Sequence, residues 1–167
     1  MSAMKKITPC LWFDSEAEDA ASYYVSIFPN SRIGEISRFG EAGQEIHHKP
    51  VGSVMAVEFE LDGNPFVGLN GGPMFKFSEA TSFQIFCETQ EEVDHYWNHL
   101  TKGGDADAQQ CGWLKDKFGV SWQVIPNVLI ELLKDPDAAK SQRVANAMLQ
   151  MKRMDIAGLQ RAAELAT

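Results

Sequence analysis

The stretch "FDSEAEDAASYYVSIF" (residues 13–28) decides how the chain is read, because a second like it, "CETQEEVDHYWNHL" (87–100), stands further on. Ser15 with Glu18, and Thr89 with Glu92, each have the spacing of a capping box. In that motif the hydroxyl accepts from the third backbone N–H of the helix and the glutamate reaches back to the cap. The two boxes lie 74 residues apart. Behind each runs an apolar stripe at helical spacing: Ala20, Tyr24, Ile27 and Phe28 in the first, Val93, Tyr96, Trp97 and Leu100 in the second. A capped amphipathic helix that recurs at half the chain marks an internal duplication.

Working outward, each helix follows a strand-like segment, "ITPCLWF" or "SFQIFC", and precedes three extended segments. In the first half these are 31–39, 51–62 and 65–70, with "DGN" at 62–64 as a hairpin turn. In the second they are 105–111, 112–116 and 120–126, with "DKFG" between the last two. The order β-α-β-β-β, twice, predicts an α+β fold: two tandem modules, about 1–74 and 75–126, forming a curved mixed sheet around a cleft. Residues 127–167 read as a C-terminal helical extension. In it Asp135-Pro136 resembles a cap with proline at the first helical position, Val144, Met148 and Met151 form a stripe, and a last helix runs from about Ile156 to Leu165. The Met-rich face suits a homodimer contact.

Alternation along the strands sorts their faces. Leu11 and Phe13, the set Met55, Val57, Phe59 and Leu61, the pair Val67 and Leu69, the set Phe83, Ile85 and Cys87, and the pair Trp122 and Val124 form apolar rows. These are expected under the helices. The opposite rows are mixed: Thr8, Cys10 and Trp12; Glu58 and Glu60; Phe66, Gly68 and Asn70; Ser82, Gln84 and Phe86; Ser121, Gln123 and Ile125. They are expected to face solvent or the cleft.

Composition bounds the function. Hydrophobic residues make up 44% and charged residues 23% of 167, which is ordinary globular material. A formal net charge of −8 argues against sequence-independent nucleic-acid binding, which needs a clustered basic surface. No apolar run reaches about 18 residues and "MSAMKKITPC" lacks a signal-peptide core, so the expectation is a soluble cytoplasmic protein with no membrane partner. Cys10, Cys87 and Cys111 have no metal-ligand spacing and read as reduced thiols.

Several motifs then carry a resemblance: "ITPCLWFDSEAEDAASYYVSIFPNS", "FVGLNGGPMFKFSEATSFQIFCETQEEVDHYW", "GWLKDKFGVSWQVIP" and "AMLQMKRMDIAGLQRAA". The chain resembles the PhnB-like branch of the glyoxalase, bleomycin-resistance and extradiol dioxygenase superfamily, also called the vicinal oxygen chelate fold. That branch often carries the label 3-demethylubiquinone 3-methyltransferase. The resemblance implies a homodimer, and it implies ligand positions on the first, fourth, fifth and eighth strands. Carried over, these fall on Thr8, on Gly68 or Asn70, on Ser82 and on Gln123. Such a set offers no imidazole, thiolate or carboxylate, so no catalytic metal or other cofactor is expected there.

The same rows suggest a pocket instead. Thr8, Asn70, Ser82, Gln84 and Gln123 supply hydrogen-bonding groups among Trp12, Phe66 and Phe86, the usual composition of a small-molecule site. They would equally satisfy one another and ordered water inside a core. Glu58, if it points into the cleft, is the candidate acid or base.

His95 and His99 form an i, i+4 pair with Glu91 one turn earlier, opposite the apolar stripe, while His47 and His48 lie in a Gly- and Pro-bounded loop that suits a lid or partner contact. Neither Gly71-Gly72 nor Gly103-Gly104 has the strand–glycine turn–helix layout expected of S-adenosylmethionine binding. The leading expectation is a metal-independent small-molecule binder. The alternatives are a metal-dependent lyase, isomerase or dioxygenase with a displaced site, the methyltransferase of the label, and a dimer module without a ligand.

Overall fold

The computed structural model describes residues 5–164. They form two compact units, one ending at Lys76 and the other beginning at Phe77.

In the first unit the elements are β1 (Cys10–Phe13), α1 (Ala17–Ile27), β2 (Arg32–Arg38), α2 (Gln44–His47), β3 (Val54–Leu61) and β4 (Asn64–Asn70). Their sheet runs β1-β4-β3-β2, with β1 parallel to β4 and the other neighbours antiparallel. Asp62-Gly63 makes the tight β3–β4 turn with both residues at positive φ, which "DGN" predicts.

Helix α1 seats on one face through Ala17, Ala20, Ala21, Tyr24 and Ile27, all buried. Phe59 stacks on Phe66 at 5.4 Å and on Tyr24 at 6.3 Å. The pairing Phe59 to Phe66, Val57 to Gly68 and Leu11 to Gly68 puts all of these on the helix side.

That register corrects the expected facing of β4. Phe66, Gly68 and Asn70 pack under α1, and it is Val67 and Leu69 that share the other face with Trp12 and Glu58. The physical reason is Gly68, where an added Cβ would lie 3.2 Å from the Cβ of Ala17. The helix approaches that closely only over a residue without a side chain.

The first capping box also fails. The cap of α1 is Glu16, which makes no side-chain cap bond, and the Ala17 N–H instead donates to Asn70 Oδ1 at 2.9 Å. At the second box the hydroxyl half forms, with the Glu92 N–H donating to Thr89 Oγ1.

The second unit contains β5 (Ser82–Cys87), α3 (Gln90–Leu100), β6 (Trp113–Lys115), β7 (Ser121–Pro126), α4 (Asn127–Leu133), α5 (Ala138–Leu149) and α6 (Ile156–Glu164). Its sheet has the order β5-β7-β6, β7 being parallel to β5 and antiparallel to β6. The segment expected as a strand over 105–111 is instead a 3-10 turn at Ala106–Ala108 with a single bridge from Gln110 to Trp113. Asp105 caps that turn through Asp107 N–H, and "DADAQQ" has no β-branched or aromatic residue to oppose it.

Helix α3 covers Ile85, Cys87, Trp122 and Val124 with Val93, Tyr96, Trp97 and Leu100, as the periodicity predicts. The C-terminal helices belong to this unit. Gln90 of α3 donates to Met154 C=O and accepts from the Ile156 N–H, and Arg143 of α5 donates to the last carbonyls of α6 at Ala162 and Ala163. The cap of α5 is Asp137, which accepts from Ala139 and Lys140, and not Asp135, which accepts from Asp137 and pairs with Lys140. Leu165, the expected last residue of the final helix, lies outside the described residues. None of the described helices is long and apolar enough to cross a membrane.

Candidate functional site

The face of the second unit's sheet away from α3 gathers the polar groups. In the parallel register Ser82 lies beside Ser121, Gln84 beside Gln123 and Phe86 beside Ile125, while across the hairpin Gln123 meets Trp113 and Ser121 meets Lys115. All eight project to the face opposite Trp122 and Val124, because side chains alternate along a strand.

Gln123 is fixed from both sides. Its Nε2 donates to Ser82 Oγ at 2.8 Å, and its Oε1 accepts a long bond of 3.5 Å from Gln84 Nε2. Lys115 is paired with Glu79, whose carboxyl its ammonium holds below the ordinary range by hydrogen bonding and charge. Phe86 is 52% exposed at the far end of β5, so an aromatic face is open to contact.

Ser121 differs from its neighbours. It is 1% exposed, and its hydroxyl has no hydrogen-bond partner among the described residues. A buried hydroxyl in that state costs about 1–3 kcal/mol relative to a satisfied one.

The hairpin that presents the row is held from below. Asp116, buried at the start of the "DKFG" turn, accepts from the Phe118 and Val120 N–H groups through Oδ1 and from Trp122 Nε1 through Oδ2. The turn therefore fixes which residues of β6 oppose Gln123. Trp113, Lys115 and Ser121 were not among the expected ligand contacts. The signal that finds Trp113 and Lys115 is the hairpin register, counted outward from the turn.

In the first unit the expected residues separate. Trp12 is half-buried; its Nε1 donates to Gly72 C=O at 2.9 Å, and its ring meets Phe75 edge-on at 4.9 Å. Thr8 precedes β1 and donates to Lys5 C=O. Phe66 is 8% exposed in the core, and Asn70, at 6%, spends Oδ1 on Ala17 N–H and Nδ2 on Val54 C=O. Both are therefore core residues and not part of the mixed row with Trp12, which corrects the expectation for them.

Glu58 is half-buried on the face away from α1, beside Gly34. His47 staples its own loop. Its Nδ1 accepts from the Lys49 N–H at 2.9 Å, which leaves Nε2 to donate to Ala42 C=O at 3.2 Å, and its ring packs on Phe39. His48 is exposed in the left-handed region at φ 54°. A polar cavity of about 290 Å³ opens where α1 begins, lined by Ser15, Glu18, Asp19, Lys49, Ser53 and Asn70 among others.

The four superfamily metal positions can be tested against these contacts. On β4 the residues facing away from α1 are Val67 and Leu69, which carry no donor; Asn70 is committed to backbone, Thr8 donates to Lys5, and Ser82 and Gln123 bond each other. Neutral oxygen donors already engaged in this way do not fit a divalent ion. Among the described residues no three of His, Cys, Asp and Glu cluster as a metal site.

The glycine doublets are also used structurally. A Cβ on Gly71 would stand 2.2 Å from the Trp12 ring, and one on Gly104 would stand 2.1 Å from Lys115 C=O.

Comparison with known proteins places these observations. A PhnB protein from Bacillus cereus, carrying the 3-demethylubiquinone-9 3-methyltransferase description, is 35% identical, covers 73% of this chain and 99% of its own, and superposes with a TM-score of 0.62. Protein PA1353 from Pseudomonas aeruginosa is 18% identical over 74% of this chain and 98% of its own, with a TM-score of 0.56. The fosfomycin resistance protein FosX of Listeria monocytogenes is 17% identical over 81% of this chain and 99% of its own, with a TM-score of 0.52. The last two likenesses concern the fold. No curated protein matches the chain significantly by sequence. Residues 5–125 match the family described as 3-demethylubiquinone-9 3-methyltransferase, and the chain belongs to that family, the PhnB-like branch of the glyoxalase and bleomycin-resistance fold.

Proposed function

We propose that this protein binds a small organic molecule on the face of the β5-β7-β6 sheet away from α3, without a metal. The observation that carries the reading is the Gln84–Gln123–Ser82 chain of neutral hydrogen-bonding groups, which lies beside the exposed Phe86 and is itself reachable from solvent at Gln84. A ligand bearing one hydrogen-bonding group would meet Gln84 and Gln123, and the Ser82 contact would hold Gln123 in the orienting position. Trp113 and the exposed Phe86 offer apolar surface to a planar or aromatic body. The neutral character of Gln84, Ser82 and Gln123, and the engagement of the last two with each other, support a metal-independent mode.

The chemistry proposed for these groups is recognition: neutral hydrogen bonds set orientation and aromatic contact supplies affinity. The test is a ligand-observed NMR screen of aromatic metabolites on chelator-treated, tag-free protein. Each hit is then titrated against Gln123→Ala and Gln84→Ala. Loss of one or two neutral hydrogen bonds weakens binding by roughly 3- to 30-fold; a hit bound equally by both variants refutes the assigned face. Titration with S-adenosylmethionine in the same series checks the methyltransferase description, and sedimentation equilibrium checks the expected homodimer.

A further inference from the structure

The outer face of α3 carries a second arrangement, independent of the sheet face. Val93, Tyr96, Trp97 and Leu100 are buried, which leaves His95 and His99 exposed one turn apart. Their ring centroids lie 4.5 Å apart with the planes at 49°. The edge contact of His95 with Tyr96, at 5.0 Å and 74°, helps hold that ring in place.

His99 Nδ1 lies 2.7 Å from His95 C=O. A carbonyl only accepts, so the hydrogen sits on Nδ1 and the lone pair of the neutral ring sits on Nε2. A backbone carbonyl behind the remote nitrogen is the arrangement that orients a metal-ligating imidazole and fixes its tautomer.

Two imidazoles on one tetrahedral ion, with bonds of about 2.0–2.1 Å, place their donor nitrogens roughly 3.4 Å apart. Rings with centroids at 4.5 Å reach that separation through side-chain torsions, without a change in the helix. Glu91, exposed one turn before His95, adds a favourable charge for a cation; Lys102, three residues after His99, opposes it.

We propose that His95 and His99 form a two-point chelate for a divalent transition ion, with the remaining coordination positions taken by water or an external ligand. Imidazole donors select Cu²⁺, Ni²⁺ and Zn²⁺ over Mg²⁺ and Ca²⁺, with Cu²⁺ bound most tightly of the three. With only two protein ligands the ion exchanges readily. Metal found in the whole protein therefore reports α3, and does not by itself argue for an ion on the sheet face.

The test uses tag-free, chelator-stripped, full-length protein titrated with NiCl₂ and ZnCl₂ by calorimetry and with CuSO₄ by electron paramagnetic resonance. One equivalent of Ni²⁺ is expected, with two coordinated nitrogens in the copper spectrum and no heat from MgCl₂. His95→Gln and His99→Gln should each weaken Ni²⁺ binding at least about tenfold, by turning a chelate into a single contact, and reduce the copper spectrum to one nitrogen. His48→Gln should change neither. Equal melting temperatures in chelator establish that the variants fold. Affinity unchanged in either α3 variant overturns the proposal, as does a wild-type protein that binds none of the three ions.

Discussion

Replacing Asn70 by alanine separates two roles that the sequence alone confuses. The side chain is 6% exposed; its Oδ1 accepts from the Ala17 N–H at 2.9 Å and its Nδ2 donates to Val54 C=O at 3.1 Å. Alanine leaves the first helical N–H of α1 without a partner inside the protein and frees a half-buried carbonyl. An orphaned buried group costs about 1–3 kcal/mol, and the loss of a helix cap alone costs about 1 kcal/mol. The sum for Asn70→Ala is about 2–4 kcal/mol. For a chain of this size that corresponds to a fall in melting temperature of roughly 5–15 °C.

Ser15→Ala, at the apparent cap, should stay within about 0.5 kcal/mol, since α1 makes no side-chain cap bond of its own. Thr89→Ala, at the cap that does form, should cost about 1 kcal/mol. Urea unfolding of the three variants, followed by far-UV circular dichroism, gives the ordering Asn70 > Thr89 > Ser15. A Ser15 effect equal to that of Thr89, or an Asn70→Ala protein as stable as wild type, refutes the cross-strand cap.

Gly71→Ala drives a methyl into the Trp12 indole, which stands 2.2 Å from the position of the new Cβ; a loss of about 1–3 kcal/mol and a red-shifted tryptophan emission are expected. Asp116→Asn keeps one acceptor oxygen for three donors, the Phe118 and Val120 N–H groups and Trp122 Nε1. It should destabilise by about 2–4 kcal/mol, measured in urea. Burial, reinforced by the Glu92 charge, pushes the Cys87 thiol from 9.0 up to about 12. Between those values the unfolded chain has released a proton that the folded chain keeps, so the thiol's contribution is complete below pH 9 and is lost as pH rises toward 12. Cys87→Ala should flatten that part of the pH–stability curve, and native Cys87 should resist thiol reagents near neutral pH.

How much was legible depends on whether the deciding contact is local. The helix α3, its cap at Thr89 and the alternation of Trp122 and Val124 against Ser121 and Gln123 follow from neighbours within a few residues, and they stand as read. The cluster of Ser82, Gln84 and Gln123 on one face was likewise readable from period-two patterning.

Composition and periodicity along the chain determined the α+β class, the duplicated helix-on-sheet layout and the row of polar residues on the last strand, because each rests on a repeat of two or 3.6 residues. Only the tertiary structure decided which face of β4 the helix covers and what caps α1. Gly68 and Asn70 look like cleft residues in a mixed row, yet one makes room for Ala17 and the other closes the helix end. Those choices depend on a helix some fifty residues earlier, and no local pattern encodes the distance of closest approach between two elements.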